Sequence, residues 1–148
     1  MSSTHLSLLY HLVFSTKRRQ AWITESWQEK LNSYLGGILR ALGGVAEGIG
    51  GAADHIHILA SLKATRCLAE IMRELKSSSS KWVHEELGIA GFGWQDGYGA
   101  FTVGRSEVDR IQHYLREQKE HHRRKTFQEE YLELLRQSGI EFDERYLW

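Results

Sequence analysis

The sequence predicts an α+β fold in which helices pack on a four-stranded antiparallel sheet. Three observations support this class: short apolar runs typical of buried strands, longer segments with apolar residues at helical spacing, and glycine-rich turns between them. With 148 residues, 41% of them hydrophobic, the chain has the size and composition of one globular domain. We therefore expect a single domain over residues 1–148 that ends in a helical tail at about 126–148.

Four segments have the composition of strands. The first is apolar and aromatic, and Gly50-Gly51 provides a turn between the second and the third. The fourth follows a loop rich in glycine and aromatic residues, in which Asp96-Gly97 signals a turn. The predicted strands are 6–15, 45–49, 54–62 and 100–103.

Four helices connect or follow these strands. Each begins at a serine or threonine, whose hydroxyl can cap a helix, and the last also fits a capping box with Glu129. The predicted helices run from Thr24 to about 42, from Thr65 to about 87, from Ser106 to about 122, and onward from Thr126. The resulting order, β-α-β-β-α-β-α-α, is that of a ferredoxin-like sheet with helices packed on it.

The composition excludes some classes of protein and of site. The 19 basic and 19 acidic residues give zero net charge, which argues against a uniformly positive surface but allows a local basic groove. No apolar run approaches the roughly 18 residues of a membrane-spanning helix, and the N-terminus lacks a signal sequence, so we expect a cytoplasmic protein without a membrane partner.

Cys67 is the only cysteine, which excludes an intrachain disulfide and a thiolate zinc site. Its apolar neighbours predict a small packed residue on a helix.

Basic residues cluster in three places along the chain. Each cluster is typical of a solvated surface when it is considered alone, yet each is also a candidate contact to phosphate. The candidate residues are Lys17, Arg18, Arg73, Lys76, Lys81 and Arg123.

The most informative stretch is Asp54-His55-Ile56-His57, in the third predicted strand. Because side chains alternate across a strand, His55 and His57 share one face, roughly 7 Å apart. Two such imidazoles can converge on one cation, and Asp54 can fix the tautomer of one of them. The alternative is a pair of surface histidines, because His-x-His is a weak signal by itself. Other folds that carry a His-x-His metal site do not suit this chain. A cupin would need an all-β chain, and a metallohydrolase barrel would need about 250 residues. A small sheet covered by helices is the fold that remains.

The third predicted helix carries Tyr114 and Gln118, four residues apart and therefore stacked on one face. His121 follows on the same side, next to the apolar stripe, so Tyr114 lies at the edge of the buried face. A glutamine carbonyl can bind a hard cation, and a tyrosinate can attack a phosphodiester to give a 5′-phosphotyrosine and a free 3′-hydroxyl. The alternative is a boundary tyrosine with a packed ring. Metal-bound water, His121 and bulk solvent all remain open as the general base.

Motifs along nearly the whole chain match one family in order and spacing. They lie at 11–14, 17–18, 54–57, 75–79, 94–101, 114–118, 121–122 and 127–130. With these motifs the chain resembles the single-tyrosine HUH transposases of the insertion-sequence 200/605 type, which include the REP-associated tyrosine transposases.

The resemblance implies an HUH fold with His55, His57 and Gln118 as ligands of Mg²⁺ or Mn²⁺ and with Tyr114 as the nucleophile. It implies cleavage and joining of single-stranded DNA, recognition of hairpins, and a role in DNA transposition. The host would be a bacterial or archaeal cell, in which the protein is associated with the nucleoid when it is on DNA. The basic clusters would then contact DNA. Asp54 and His121 would hold the ligand side chains in position without contacting the metal.

Two positions depart from the family pattern. Ala53 stands where the family usually has proline, and Glu117 stands where it usually has asparagine.

Among the aromatic residues of the 94–101 motif, Tyr98 and Phe101 are candidates to stack on unpaired bases, whereas we expect Trp94 to pack in the core.

Three functions remain open at this level: an active transposase, a domesticated hairpin-binding protein that does not transpose, and a metal-dependent phosphodiesterase in which Tyr114 is structural. The resemblance implies two possible assemblies, because mobile-element members pair so that the Tyr114 helix of each subunit completes the site of its partner, whereas some repeat-associated members work alone. We expect a homodimer with active sites in trans. Apolar residues at 8, 9, 12 and 14 are the predicted interface, and the aromatic tail at 127–148 is predicted to cover the same surface.

Overall fold

The computed structural model describes residues 3–118 and 124–148. The four strands are β1 (Leu9–Ser15), β2 (Val45–Ala52), β3 (His55–Ser61) and β4 (Gly99–Thr102). The helices are α1 (Glu25–Ala41), α2 (Leu68–Glu86), α3 (Val108–Arg116) and α4 (Phe127–Gln137). The element types and their order agree with the prediction.

The strands form one antiparallel sheet in the order β2-β3-β1-β4, which confirms the predicted fold class. Strands β1 and β3 lie in the middle, and their register aligns Val13 with His57 and Ser15 with His55. The sheet therefore places the His-Ile-His segment between two hydrogen-bonded neighbours, where the backbone around it is fixed on both sides.

The sheet separates two helical layers. Ile56 and Ile58 pack in the core beneath α1 and α2, as the alternation of side chains along β3 requires. On the other face, Leu59 packs against α3, and Val13 and Phe101 pack against α4. His55 and His57 point to this second face, because α3 and α4 supply their side-chain contacts. The predicted sharing of one face by the two histidines is thus confirmed.

Glycines in β2 bring α3 close to the sheet. A Cβ atom on Gly50 would lie 2.3 Å from the carbonyl oxygen of Leu115, so any other residue would push α3 away. A Cβ atom on Gly48 would lie 3.3 Å from the Leu115 side chain. Glycine is therefore required here for the close approach of a helix, and this contact fixes the height of Tyr114 above β3.

The predicted ends of two helices are wrong. Helix α2 begins at Leu68 with Cys67 at its N-cap and not at Thr65, so Cys67 is exposed and is not the packed residue expected. A short 3₁₀ turn at Arg105–Glu107 delays the start of α3 to Val108, because Gly104 donates its N–H to the Glu107 carboxylate at 2.9 Å.

The predicted N-cap of α4 is confirmed. The Thr126 hydroxyl accepts the N–H of Glu129 at 3.2 Å, as the capping box predicts. The predicted continuation of the third helix to about 122 is wrong, because α3 ends at Arg116 and Glu117 leaves the helical conformation with φ −100° and ψ 15°. Residues 119–123, which include the candidates His121 and Arg123, lie outside the described residues.

The predicted dimer surface on β1 is wrong. Leu9, Leu12 and Phe14 are at most 3% exposed, because β1 is an interior strand and these side chains pack within the chain's own core. The aromatic tail does pack on this part of the sheet, since Phe127 and Leu135 contact the opposite face around Val13. None of the described helices has the length and apolar character needed to cross a membrane.

The indole of Trp94 packs in the core, as predicted. Its ring lies edge-on to Phe14 and Phe92, and its N–H donates to the Ser79 hydroxyl at 2.9 Å. Phe101 is also buried, which makes it a packing residue rather than a platform for bases, whereas Tyr98 is 38% exposed.

Candidate active site

The histidine pair is fully buried at the end of β3, under α3 and α4. The ring centroids of His55 and His57 are 5.0 Å apart, and the two planes are almost perpendicular at 86°. Burial of two imidazoles removes them from water, so their ring nitrogens need partners inside the protein.

His55 is held on both sides of its ring. Its Nδ1 contacts the Asp54 carboxylate at 2.7 Å, and its Nε2 lies 3.1 Å from Oε1 of Gln118. The ring also stacks on Phe127, with 4.6 Å between centroids. Asp54 can therefore hold Nδ1–H, which leaves Nε2 directed toward the interior of the site.

His57 has a parallel arrangement with different partners. Its Nε2 contacts Oε1 of Glu130 at 2.5 Å, and its Nδ1 lies 2.8 Å from Nε2 of His11 on β1. Burial, followed by the electrostatic effect of His57, lowers the pKa of His11 to about 3. His11 is therefore a neutral imidazole at ordinary pH, with one nitrogen that accepts a hydrogen bond and one that donates.

Glu130 is a site residue that sequence reasoning missed. It comes from α4, is 4% exposed, and places Oε1 at 2.5 Å from His57 Nε2 and 3.9 Å from His55 Nε2. The sequence does contain a signal: Glu130 lies three residues after Phe127 and four before Leu134, on the apolar face of an amphipathic helix. A carboxylate on a core-facing position needs a polar or charged partner, and here the histidine pair provides it.

Tyr114 lies beside this cluster on α3 and is half-buried. Its ring is edge-on to His57 and to His11, with centroids 5.8 and 6.4 Å apart. The Glu130 carboxylate and the Gln118 side chain lie within reach of its hydroxyl. Burial raises the pKa of Tyr114 above its ordinary value, and the negative charge and hydrogen bond of Glu130 raise it further. The resting side chain is thus a protonated phenol whose O–H can donate to a carboxylate.

The donor atoms have the chemistry of a metal-binding group. One atom each from His55, His57 and Glu130 lies within 4.8 Å of the other two, and all three residues are buried. Two imidazole nitrogens and one carboxylate oxygen suit a divalent ion that accepts mixed nitrogen and oxygen ligands. The Gln118 carbonyl, 3.1 Å from His55 Nε2, adds a neutral oxygen on the same side. The residues present therefore fit a divalent metal.

A cleft of about 680 Å³ leads from the surface to this cluster between β4, α3 and α4. It reaches His11, Tyr114 and Glu130 at its inner end. Phe101, Ile111 and other apolar side chains line its walls. Tyr114 thus lines the cleft, whereas His55 and His57 are fully buried behind it.

The predicted basic contacts are distributed over different parts of the fold. Lys17 and Arg18 are exposed in the turn after β1, at the end of the sheet where His55 lies. Arg73 and Lys81 are exposed on α2, which covers the face of the sheet opposite to the histidines. Lys76 donates to the carbonyls of Gln95 and Gly97 at 2.6 and 2.7 Å, so its ammonium anchors the 94–99 loop. Among the predicted basic contacts within 3–118 and 124–148, Lys17 and Arg18 alone lie at the end of the sheet that holds the site.

Comparisons with known proteins agree with this architecture. A family model described as "Transposase IS200 like" matches residues 4–118. Among solved structures, a protein from Deinococcus radiodurans R1 described as a candidate transposase is 21% identical, with a TM-score of 0.63 over 80% of this chain and 98% of that chain. A REP-associated tyrosine transposase bound to a REP hairpin is 12% identical, with a TM-score of 0.60 over 82% and 74%. A search of curated proteins found no match.

The family model covers more than half of the chain, from Thr4, just before β1, to Gln118, which contacts His55. The two structures share the same fold at low sequence identity. The protein therefore belongs to the IS200-like transposase family, whose members are HUH tyrosine transposases that act on DNA.

Proposed function

We propose that this transposase cleaves and rejoins single-stranded DNA with Tyr114 as the nucleophile. The observation that carries this proposal is the position of Tyr114, which lines the cleft together with Glu130 and whose ring lies edge-on to His57, 5.8 Å between centroids. Attack on a phosphodiester forms a bond from the tyrosine oxygen to phosphorus and breaks the bond to the 3′ oxygen. The phenol loses its proton and the 3′ oxygen gains one, so a 5′-phosphotyrosine and a 3′-hydroxyl result.

The proposed metal ligands are His55, His57 and Gln118, with Glu130 as an additional one from α4. A bound Mg²⁺ or Mn²⁺ would polarise the phosphate and neutralise the charge that develops on it. A hydrogen bond donated by the Tyr114 hydroxyl to the Glu130 carboxylate would hold the hydroxyl beside the histidine pair. Glu130 thus connects the nucleophile to the histidine pair.

The first test of the proposed function is substrate preference. We expect a hairpin with a single-stranded flank to bind at least about tenfold more tightly than a blunt duplex of the same length, which corresponds to the stacking of roughly one unpaired base. The reason is that Tyr114 must reach an exposed phosphate and that unpaired bases are free to stack. The structural relative bound to a REP hairpin supports this choice of substrate.

Fluorescence anisotropy at one fixed salt concentration measures this difference, since phosphate contacts depend strongly on salt. The Tyr114→Phe protein serves as the binding reagent, because cleavage then does not distort the titration. Equal affinity for the blunt duplex would contradict a single-stranded substrate.

We further propose that each chain contains a complete site, in place of the trans arrangement expected from the resemblance. Tyr114 on α3 and Gln118, which follows α3, both reach the histidine pair of their own chain. The Oε1 atom of Gln118 lies 3.1 Å from His55 Nε2, and the Tyr114 ring is edge-on to His57. A homodimer, if it forms, is therefore not needed to complete either site.

Co-expression of a His55→Ala chain with a Tyr114→Phe chain tests the cis arrangement. We expect two inactive proteins to remain inactive in the mixture, because neither chain then carries both the histidine and the tyrosine. Differently tagged chains, purified through both tags, show whether a heterodimer has formed. Recovery of cleavage in such a heterodimer would show that α3 is exchanged between subunits.

A further inference from the structure

The two histidines of the pair are held in the same way, but by different kinds of residue. In each ring the Nε2 atom faces the interior of the site, toward Gln118 for His55 and toward Glu130 for His57. In each ring the Nδ1 atom contacts a side chain on the far side. Asp54 fills this position for His55 at 2.7 Å, and His11 fills it for His57 at 2.8 Å.

His11 occupies its position because of the sheet register. It lies on β1, opposite Leu59 and two residues from Val13, which is itself opposite His57. Side chains two apart on neighbouring strands are within reach of each other on the same face. The His11 ring is 5% exposed and lies 4.9 Å from the His57 ring, at a tilt of 34°.

We propose that His11 is a positioning residue that fixes the tautomer and the ring orientation of His57. This inference rests on the proposed metal site. A histidine that coordinates an ion through Nε2 must carry its ring hydrogen on Nδ1, and in a buried position that N–H needs an acceptor. The Nε2 lone pair of His11 is that acceptor. His11 therefore accepts the Nδ1–H of His57 in the same way that Asp54 accepts the Nδ1–H of His55.

Two substitutions separate this role from simple packing. His11→Gln places an amide oxygen at about the position of Nε2 and keeps an acceptor, whereas His11→Phe keeps a ring of similar size and removes it. We expect His11→Phe to weaken Mn²⁺ binding about 10- to 100-fold, the usual effect of losing a partner of a metal-binding histidine. We expect His11→Gln to retain most of the affinity. His5→Gln, which removes an exposed histidine, is the control.

Isothermal titration with Mn²⁺ gives these affinities without any need for DNA or cleavage, and thermal unfolding without metal reports the fold of each variant. Equal Mn²⁺ affinity of folded His11→Phe and wild type would overturn the role of His11. Absence of Mn²⁺ binding by the wild type would instead overturn the metal site itself, so the two failures are distinguishable.

A measurement on the wild type covers the case in which His11→Phe does not fold. Long-range ¹H–¹⁵N correlation spectra of the protein loaded with diamagnetic Zn²⁺ identify which nitrogen of His57 carries hydrogen. We expect hydrogen on Nδ1 and metal on Nε2. Coordination through Nδ1 would overturn the inference, because His11 would then face the wrong atom.

Discussion

Replacement of Tyr114 by phenylalanine is expected to abolish cleavage of single-stranded DNA while the fold is retained. The phenylalanine ring can keep the edge-on contacts with His57 and His11, so packing on the sheet is preserved. The lost hydroxyl removes the interaction with the Glu130 carboxylate, at a cost of about 1 kcal/mol in the free energy of unfolding. Cleavage is lost because no other oxygen at this position can attack phosphorus.

Tyr131→Phe is the matched control for this experiment. Tyr131 is another half-buried tyrosine on the same side of the sheet, packed against Phe101 and Phe127 and not against the histidine pair. We expect it to cleave at close to the wild-type rate in a gel assay with a labelled oligonucleotide. Normal cleavage by purified Tyr114→Phe would exclude Tyr114 as the nucleophile.

The second large effect concerns the metal ligands. His57→Ala, or chelation with EDTA in the wild type, is expected to reduce cleavage at least about 100-fold, the scale of losing one strong electrostatic stabiliser of the transition state. Glu130→Gln is expected to weaken Mn²⁺ binding and cleavage, because an amide replaces a carboxylate 2.5 Å from His57 Nε2. DNA binding should be largely retained, since phosphate contacts provide most of that affinity.

His113→Ala is the control for these substitutions, because His113 precedes Tyr114 on α3 but is directed to solvent. Full cleavage in EDTA would contradict a metal-dependent reaction. Faster cleavage by Glu130→Gln than by the wild type would contradict its role as a ligand and would show that α4 blocks the site.

Much of the fold follows from local sequence patterns. Alternation along β3 predicts the common face of His55 and His57. The capping box at Thr126 predicts where α4 begins. These predictions succeed because each depends on residues that are close in sequence.

The errors and omissions have tertiary causes. Glu130 is 73 residues from His57 in sequence, and only the packing of α4 on the sheet brings the two together. His11 acquires its role through the register of β1 with β3. Leu12 and Phe14 suggested an exposed interface because sequence alone does not show that β1 is an interior strand.

Covalent capture of DNA tests the central claim most directly. Incubation of the wild type with a 3′-labelled hairpin oligonucleotide and Mn²⁺ should give a labelled protein–DNA adduct that survives denaturing electrophoresis, because a 5′-phosphotyrosine links the label to the chain. Digestion and mass spectrometry should locate the nucleotide on Tyr114. Cleavage that yields two free DNA ends without an adduct, or an adduct on another residue, would contradict this account.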